Sequence, residues 1–241
     1  MLGKLIKYDV KATAKTMFPI YLAMVILTVL FSLMIKLRFD EGLLFTAVAV
    51  LFGVAVMGSA FATLVISVHR YITGLLKSEG YLSFALPVKT WQHIASKVVN
   101  ALIWSLLQGA AFFLCFVLMG IILGDIEALR YALSFIVHVD LDFWLTMIRL
   151  TLLSVLELLS SITLIFMAYT IDYLAPRFRT FIAVIVVVLV LVLRVYFIPA
   201  SWINSFDLGV FQWVWYVMAV VSALIYSAVT WFIQDRHLNL E

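Results

Sequence analysis

Residues 43–68 read LLFTAVAVLFGVAVMGSAFATLVISV, from Leu43 to Val68 without one charged side chain. Coiled at about 1.5 Å per residue, such a stretch is long enough to cross the ~30 Å hydrocarbon core of a bilayer. Lipid offers no partner to a backbone N–H or C=O, and a helix satisfies both within its own segment. The stretch therefore predicts a transmembrane helix. Five more segments fit the same template: Met17–Ile35, Val98–Leu123, Phe143–Tyr169, Phe181–Ile198 and Phe211–Ile233. Pro19 opens the first span, Pro87 and Pro176 fall in loops, and Pro199 closes the fifth, so each span is expected to be a continuous helix. The expected fold class is an all-α polytopic membrane protein of about six spans.

Composition points the same way. Of 241 residues 66% are hydrophobic and 12% charged, against roughly 45–50% and 25% in soluble domains. A water-soluble fold of this size has too little interior to hide that much apolar surface. The single cysteine, Cys115, lies in an apolar stretch and excludes an internal disulfide framework. Met1–Lys15 contains four lysines and no unbroken apolar core, so no cleavable signal is expected.

Lysine and arginine set the orientation. Lys4, Lys7, Lys11, Lys15, Arg70, Lys77, Lys89, Lys97, Arg177, Arg179 and Arg236 fall on one side of the six spans; Lys36, Arg38 and Arg130 fall on the other. The basic side is expected to be cytoplasmic, and an even number of spans then places both termini there. Residues 1–16 read as an amphipathic helix with Lys4, Lys7, Lys11 and Lys15 on one face and Leu2, Ile6 and Val10 on another, suited to the headgroup layer. A frayed basic tail is the alternative. Outside, residues 124–142 form a long connection with Leu129, Leu133 and Ile136 at helical spacing.

The other long connection, His69 to Lys97, reads HRYITGLLKSEGYLSFALPVKTWQHIASK. Its centre places Tyr81, Leu82, Phe84 and Leu86 after the polar Lys77-Ser78-Glu79-Gly80, and Pro87 stops any helix before it. A short amphipathic helix beneath the bilayer either offers a contact surface to a partner or packs on the ends of its own spans. The residues alone leave both readings open.

A basic interfacial helix, six spans, and a loop with Glu79-Gly80-Tyr81-Leu82, then Leu86-Pro87-Val88, then Lys97 together resemble the ABC-2-type permeases, closest in flavour to the small ones of Gram-positive bacteria. The layout covers nearly the whole chain, while the motif is confined to one loop. The resemblance implies that residues 69–97 hold a coupling helix seated in a separate ATP-hydrolysing subunit. It also implies that two permease halves, identical or siblings, face each other in a bacterial plasma membrane. ATP and magnesium would then be held by the partner ATPase, and this chain would bind neither. Relatives export antimicrobial peptides, drugs, polysaccharides or lipids, so the implied cargo is amphipathic or hydrophobic. Two departures stand out. The broader family often has Glu-Arg-x-x-Gly-Thr where Tyr81 follows Gly80 here, and Pro199–Gly209 is short for the outer re-entrant hairpin common in that family.

No G-x-x-x-x-G-K-[ST] phosphate loop occurs, so an ATP-driven motor would have to be another polypeptide. His69, His93, His138 and His237 fall in loops or at span ends and form no H-E-x-x-H pair, so the chain is expected to be non-catalytic; neither metal nor nucleic acid is expected as a partner. Glu157, near the middle of the fourth span, either lines a polar path or hydrogen-bonds a neighbouring helix. Arg149 and Arg194 lie toward the outer span ends, where they can snorkel. Asn100 and Gln108, eight residues apart, suit helix–helix hydrogen bonding, and Ala49, Gly53, Ala55, Gly58, Ser59 and Ala62 suit close helix approach. Trp202, Trp213, Trp215 and Trp231 read as interface anchors. Two further readings use the same composition: an ATP-independent secondary transporter or channel, and a membrane assembly or sensor subunit that transports nothing. The first is disfavoured by unbroken spans; the second shares the need for a docking loop.

Overall fold

A computed structural model describes residues 2–39, 42–76, 88–124, 141–173, 181–196 and 208–236. Nearly all of these residues are helical, with no strand among them. The helices are α1 Leu2–Lys36, α2 Leu43–Tyr71, α3 Thr90–Leu123, α4 Leu141–Tyr173, α5 Phe181–Tyr196 and α6 Leu208–Arg236, and a π-helical turn, Ile72–Leu76, prolongs α2. Five helices among the described residues are long and apolar enough to cross a membrane, which makes the chain compatible with a multi-pass membrane protein. The apolar run Phe181–Val190 of α5 is shorter than a span.

Burial is inverted relative to a water-soluble protein. Leu43, Met57, Phe61 and Phe116 are each at least 70% exposed, whereas Thr28, Ser32, Ser59, Thr63, Thr170 and Gln108 are buried. Such a surface is stable where the surroundings are hydrocarbon, and the polar side chains then turn inward to find partners.

The helices run past the limits expected from hydropathy. α1 is uninterrupted from the basic N-terminal residues through the first span, with Pro19 inside it. Its 35 residues span roughly 52 Å, well beyond a ~30 Å hydrocarbon layer. The stretch expected as a loop at His69–Lys97 is helical at both described ends, over 69–76 and 90–97. Hydropathy misses these ends because Arg70, His93 and Lys97 interrupt the apolar run without interrupting the hydrogen-bonded backbone. α3 stops at Gly124, whose φ of +76° is the left-handed C-terminal cap that a side chain would resist.

The chain divides into two compact units. One comprises Lys7–Ser67 and Ile103–Thr146. In it α1 and α2 pack antiparallel: Phe31 stacks on Phe45 and Phe52 at ring separations of 5.7 and 5.0 Å, while Ser59 meets Met24 and Thr63 meets Tyr21 further along. The other unit comprises Met1–Ile6, Val68–Leu102 and Met147–Glu241. In it α4 and α6 run parallel. The Tyr216 hydroxyl donates to the Arg149 carbonyl, Ser160 pairs with Ser222 at 2.7 Å, and Leu164 and Met167 pack with Tyr226. Tyr71 then touches both Thr170 and Gln234, so the contacts advance in the same direction along both helices.

Candidate functional site

In this second unit the last turn of α2, the π-helical turn, the start of α3 and the last turns of α4 and α6 meet. Tyr71, Leu75, Leu76, Ile94, Ala101 and Phe166 form one buried cluster. Its centre is Tyr71, fully buried, with its ring stacked on Phe166 at 4.0 Å and an interplanar angle of 6°. That geometry contributes about 0.5–1.5 kcal/mol beyond the area buried.

Three polar groups close the Tyr71 end of the cluster, and proton counting orders them. Thr170 donates its only hydroxyl proton to the Phe166 carbonyl at 2.8 Å. In the 2.5 Å contact with Thr170, Tyr71 must then be the donor. The Tyr71 oxygen in turn accepts from Gln234 Nε2 at 2.8 Å. The result is a directed chain, Gln234 to Tyr71 to Thr170 to the α4 backbone, tying α2, α4 and α6 together. Gln234 Oε1 has no partner among the described residues, so the amide depends on Tyr71 for its pairing there.

The π-helical turn follows Tyr71 directly and buries Gly74, Leu75 and Leu76. Turns of this kind place one extra residue in the helical ladder and recur at functional sites. Here Gly74 allows a close approach: a Cβ at this position would lie 3.0 Å from Lys97 Nζ and 3.1 Å from its Cε, so the end of the lysine would have to shift by a few tenths of an ångström. The α3 lysine therefore lies across the bare backbone of the α2 extension. His93, Ser96 and Asn100 on α3 and Asp172 on α4 are buried in the same unit. At the outer edge Thr90 donates to Asp235 at 3.2 Å, joining the first residue of α3 to the last turn of α6.

A second polar network lies in the other unit. Gln108 on α3 donates through Nε2 to Ser59 Oγ at 3.0 Å, and its Oε1 accepts from Thr63 at 3.0 Å. Tyr21 on α1 lies 3.2 Å from the Thr63 hydroxyl and donates to the Trp104 carbonyl at 3.1 Å. Ser59 and Thr63 each also reach a backbone carbonyl of their own helix, at 2.8 and 2.9 Å. Gln108 thus hydrogen-bonds between helices.

Glu79, Gly80, Tyr81, Leu82, Phe84, Leu86 and Pro87, expected to form the coupling loop, lie outside the described residues, as do Trp202 and residues 125–140 of the segment expected outside. Asn100 and Gln108, expected to hydrogen-bond between helices, are both buried and fall in different units. Glu157 is half-buried on α4, and its carbonyl accepts from Ser161 at 2.8 Å. Of the small residues on α2, Ser59 is buried in the network, whereas Gly53 and Gly58 face open space with nothing within 4 Å of a Cβ. Trp213 is 71% exposed, Trp231 is 45% exposed and Trp215 is half-buried. Among the described residues no group of three or more metal-ligating side chains converges.

Sequence reading passed over Tyr71, Thr170, Asp172 and Gln234 because they lie beyond the hydropathy maxima. A signal was nevertheless present. Ser160, Thr163 and Thr170 on α4, and Ser59, Thr63 and Ser67 on α2, recur at helical spacing and are buried, which is the polar inward stripe of a lipid-facing helix. Compared with protein families, characterised proteins and solved structures, the chain gives no match.

Proposed function

We propose that this chain is the membrane-spanning subunit of an ATP-driven exporter of the ABC-2 type. In this reading it has six spans with both termini in the cytoplasm of a bacterial cell. The ATPase is a separate chain that holds ATP and magnesium, and a second permease copy or sibling completes the pathway. The cargo is amphipathic or hydrophobic.

The observation that carries the reading is that the two helix ends flanking residues 77–89 pack into one cluster. The preceding turn contributes Leu75 and Leu76, and the following helix contributes Ile94 and Ala101, to the one cluster that also holds Phe166. A partner that pushes on Glu79, Leu82 and Leu86 would be pushing on α2, α3 and α4 together, with α6 joined through Gln234. Loop ends that swing freely could transmit no such displacement. Support for six spans comes from the parallel run of α4 and α6. If both cross the bilayer, the chain between them must cross back, and α5 is the apolar helix available for it. Clustering of the α2, α4 and α6 ends with the α3 start agrees with an up-and-down path whose basic ends share one side.

The test is purification of tagged protein from its native membranes in mild detergent, with partners identified by mass spectrometry. An ATPase recovered near one per permease, and lost on Glu79→Ala/Leu82→Ala, is expected. A folded permease that brings down no ATPase would end the coupling reading and direct attention to ion-driven transport by the chain alone.

A further inference from the structure

The second unit also carries a groove between the start of α3 and the last turns of α6. It has a volume of about 290 Å³ and is lined by Trp91, Ile94, Ala95, Val98, Val99, Ser227 and Trp231. Apart from the Ser227 hydroxyl and the indole N–H groups, the lining is hydrocarbon and aromatic ring. Trp91 and Trp231, from α3 and α6, are both close to half exposed and sit at one end of the groove, each within a turn of the Thr90–Asp235 hydrogen bond. Lys89 immediately precedes that bond and Arg236 immediately follows it, and both are exposed. Arg236 is held with its guanidinium 5.1 Å from the Phe232 ring centroid. Lys89, Asp235 and Arg236 together carry a net charge of +1.

We propose that this groove is a phospholipid site: one acyl chain lies along Ile94, Val98 and Val99 between the two indoles, and the phosphate is held by Lys89 and Arg236. Four features fit that occupant together. The groove is at the lower edge of the roughly 300–1,000 Å³ of small-ligand sites, wide enough for one alkyl chain. Paired tryptophans at a helix end match the depth at which acyl chains meet headgroups. Two exposed cations beyond them match a phosphodiester. Asp235, the acid beside these two cations in sequence, is engaged by Thr90. A lipid here would touch both α3, just after the loop, and α6. The inference requires only that the chain sits in a bilayer and holds whether or not an ATPase partner exists.

The test is native mass spectrometry of the full chain in detergent, titrated with dioleoyl phosphatidylglycerol and, separately, with dioleoylglycerol, which lacks the phosphate. Retention of one phosphatidylglycerol per chain, with weaker retention of the diglyceride, is expected. Ala95→Leu and Ser227→Leu, which each fill the groove, should weaken phosphatidylglycerol binding by roughly tenfold, the effect of displacing about two methylenes. Lys89→Gln/Arg236→Gln alters only exposed positions and leaves the fold intact; it should bring phosphatidylglycerol down to the diglyceride level. Unchanged binding in the filled variants would overturn the site. Equal binding of both lipids would overturn the phosphate assignment. So would a dimer that dissociates on Ala95→Leu without change in lipid retention, since the groove would then belong to a second copy.

Discussion

Replacing Tyr71 by phenylalanine separates two contributions that meet at one side chain. The ring stays stacked on Phe166 and the cluster keeps its volume, while the hydroxyl that donates to Thr170 and accepts from Gln234 is lost. Thr170 still donates to the Phe166 carbonyl, so its proton remains paired. Gln234 is left with neither amide atom paired among the described residues, since its Oε1 already has no partner there. Interhelical hydrogen bonds within membranes are worth about 0.6–1.7 kcal/mol, and a stranded buried donor costs about 1–3 kcal/mol. Tyr71→Phe should therefore cost about 1–2 kcal/mol. Tyr71→Ala removes the ring as well and should cost about 3–5 kcal/mol. Reversible unfolding of the purified chain in mixed micelles, followed by circular dichroism against detergent composition, measures both. A cycle with Gln234→Leu should show the two losses overlapping by about 0.5–1.5 kcal/mol. The directed chain would be refuted by strictly additive costs, or by a Tyr71→Phe variant as unstable as Tyr71→Ala.

Gly74→Ala should be tolerated, because the atom it meets is the flexible end of Lys97, whereas Gly74→Val should lower the unfolding midpoint clearly; the same micelle titration ranks them. Gln108→Leu should cost no more than about 1 kcal/mol, since Ser59 and Thr63 both keep backbone acceptors, and a loss above about 3 kcal/mol would contradict that redundancy. Phe166→Ala removes the stacking partner and opens a cavity, with an expected loss of about 3–5 kcal/mol by unfolding titration. Under the exporter reading, Tyr71→Phe should also reduce export in reconstituted vesicles more than it reduces ATPase recovery in the pull-down, because the loop would still dock on loosened stems.

Much of the fold was legible. Charge-free runs such as Leu43–Val68 pointed to a membrane protein, with which the five long apolar helices are compatible, and every expected span whose residues are described is helical there. The helix ends were not legible, because hydropathy measures preference for lipid and a helix needs only its backbone bonds. Arg70 and Lys97 thus read as loop while lying in regular helix. For the site, Gln108 was visible because an amide in an apolar span stands out. Tyr71 was not, since a tyrosine at a span end is ordinarily an interface anchor and nothing local distinguishes one stacked on Phe166. Its pairing with Gln234 joins positions 163 residues apart, and no periodicity along one helix can contain that.

The two networks differ in how they answer a disturbance, and this bears on where motion can start. The Ser59 and Thr63 hydroxyls that meet Gln108 each have a backbone carbonyl of their own helix within reach, so those contacts can shift and exchange partners at small cost. A tyrosine hydroxyl stands a full ring away from its own backbone and has no such refuge. At Tyr71, displacement of α2 relative to α4 or α6 breaks the chain outright and separates a stacked pair. The helix ends on either side of residues 77–89 should therefore move together or not at all, as the exporter reading requires. Hydrogen exchange of the reconstituted chain tests this directly. Amides of Tyr71–Leu76 and of Ile94–Ala101 should exchange at similar slow rates and speed up together in Tyr71→Phe. Acceleration confined to the α2 side would mean that the two stems are not one body, and the loop would then have no lever to act on.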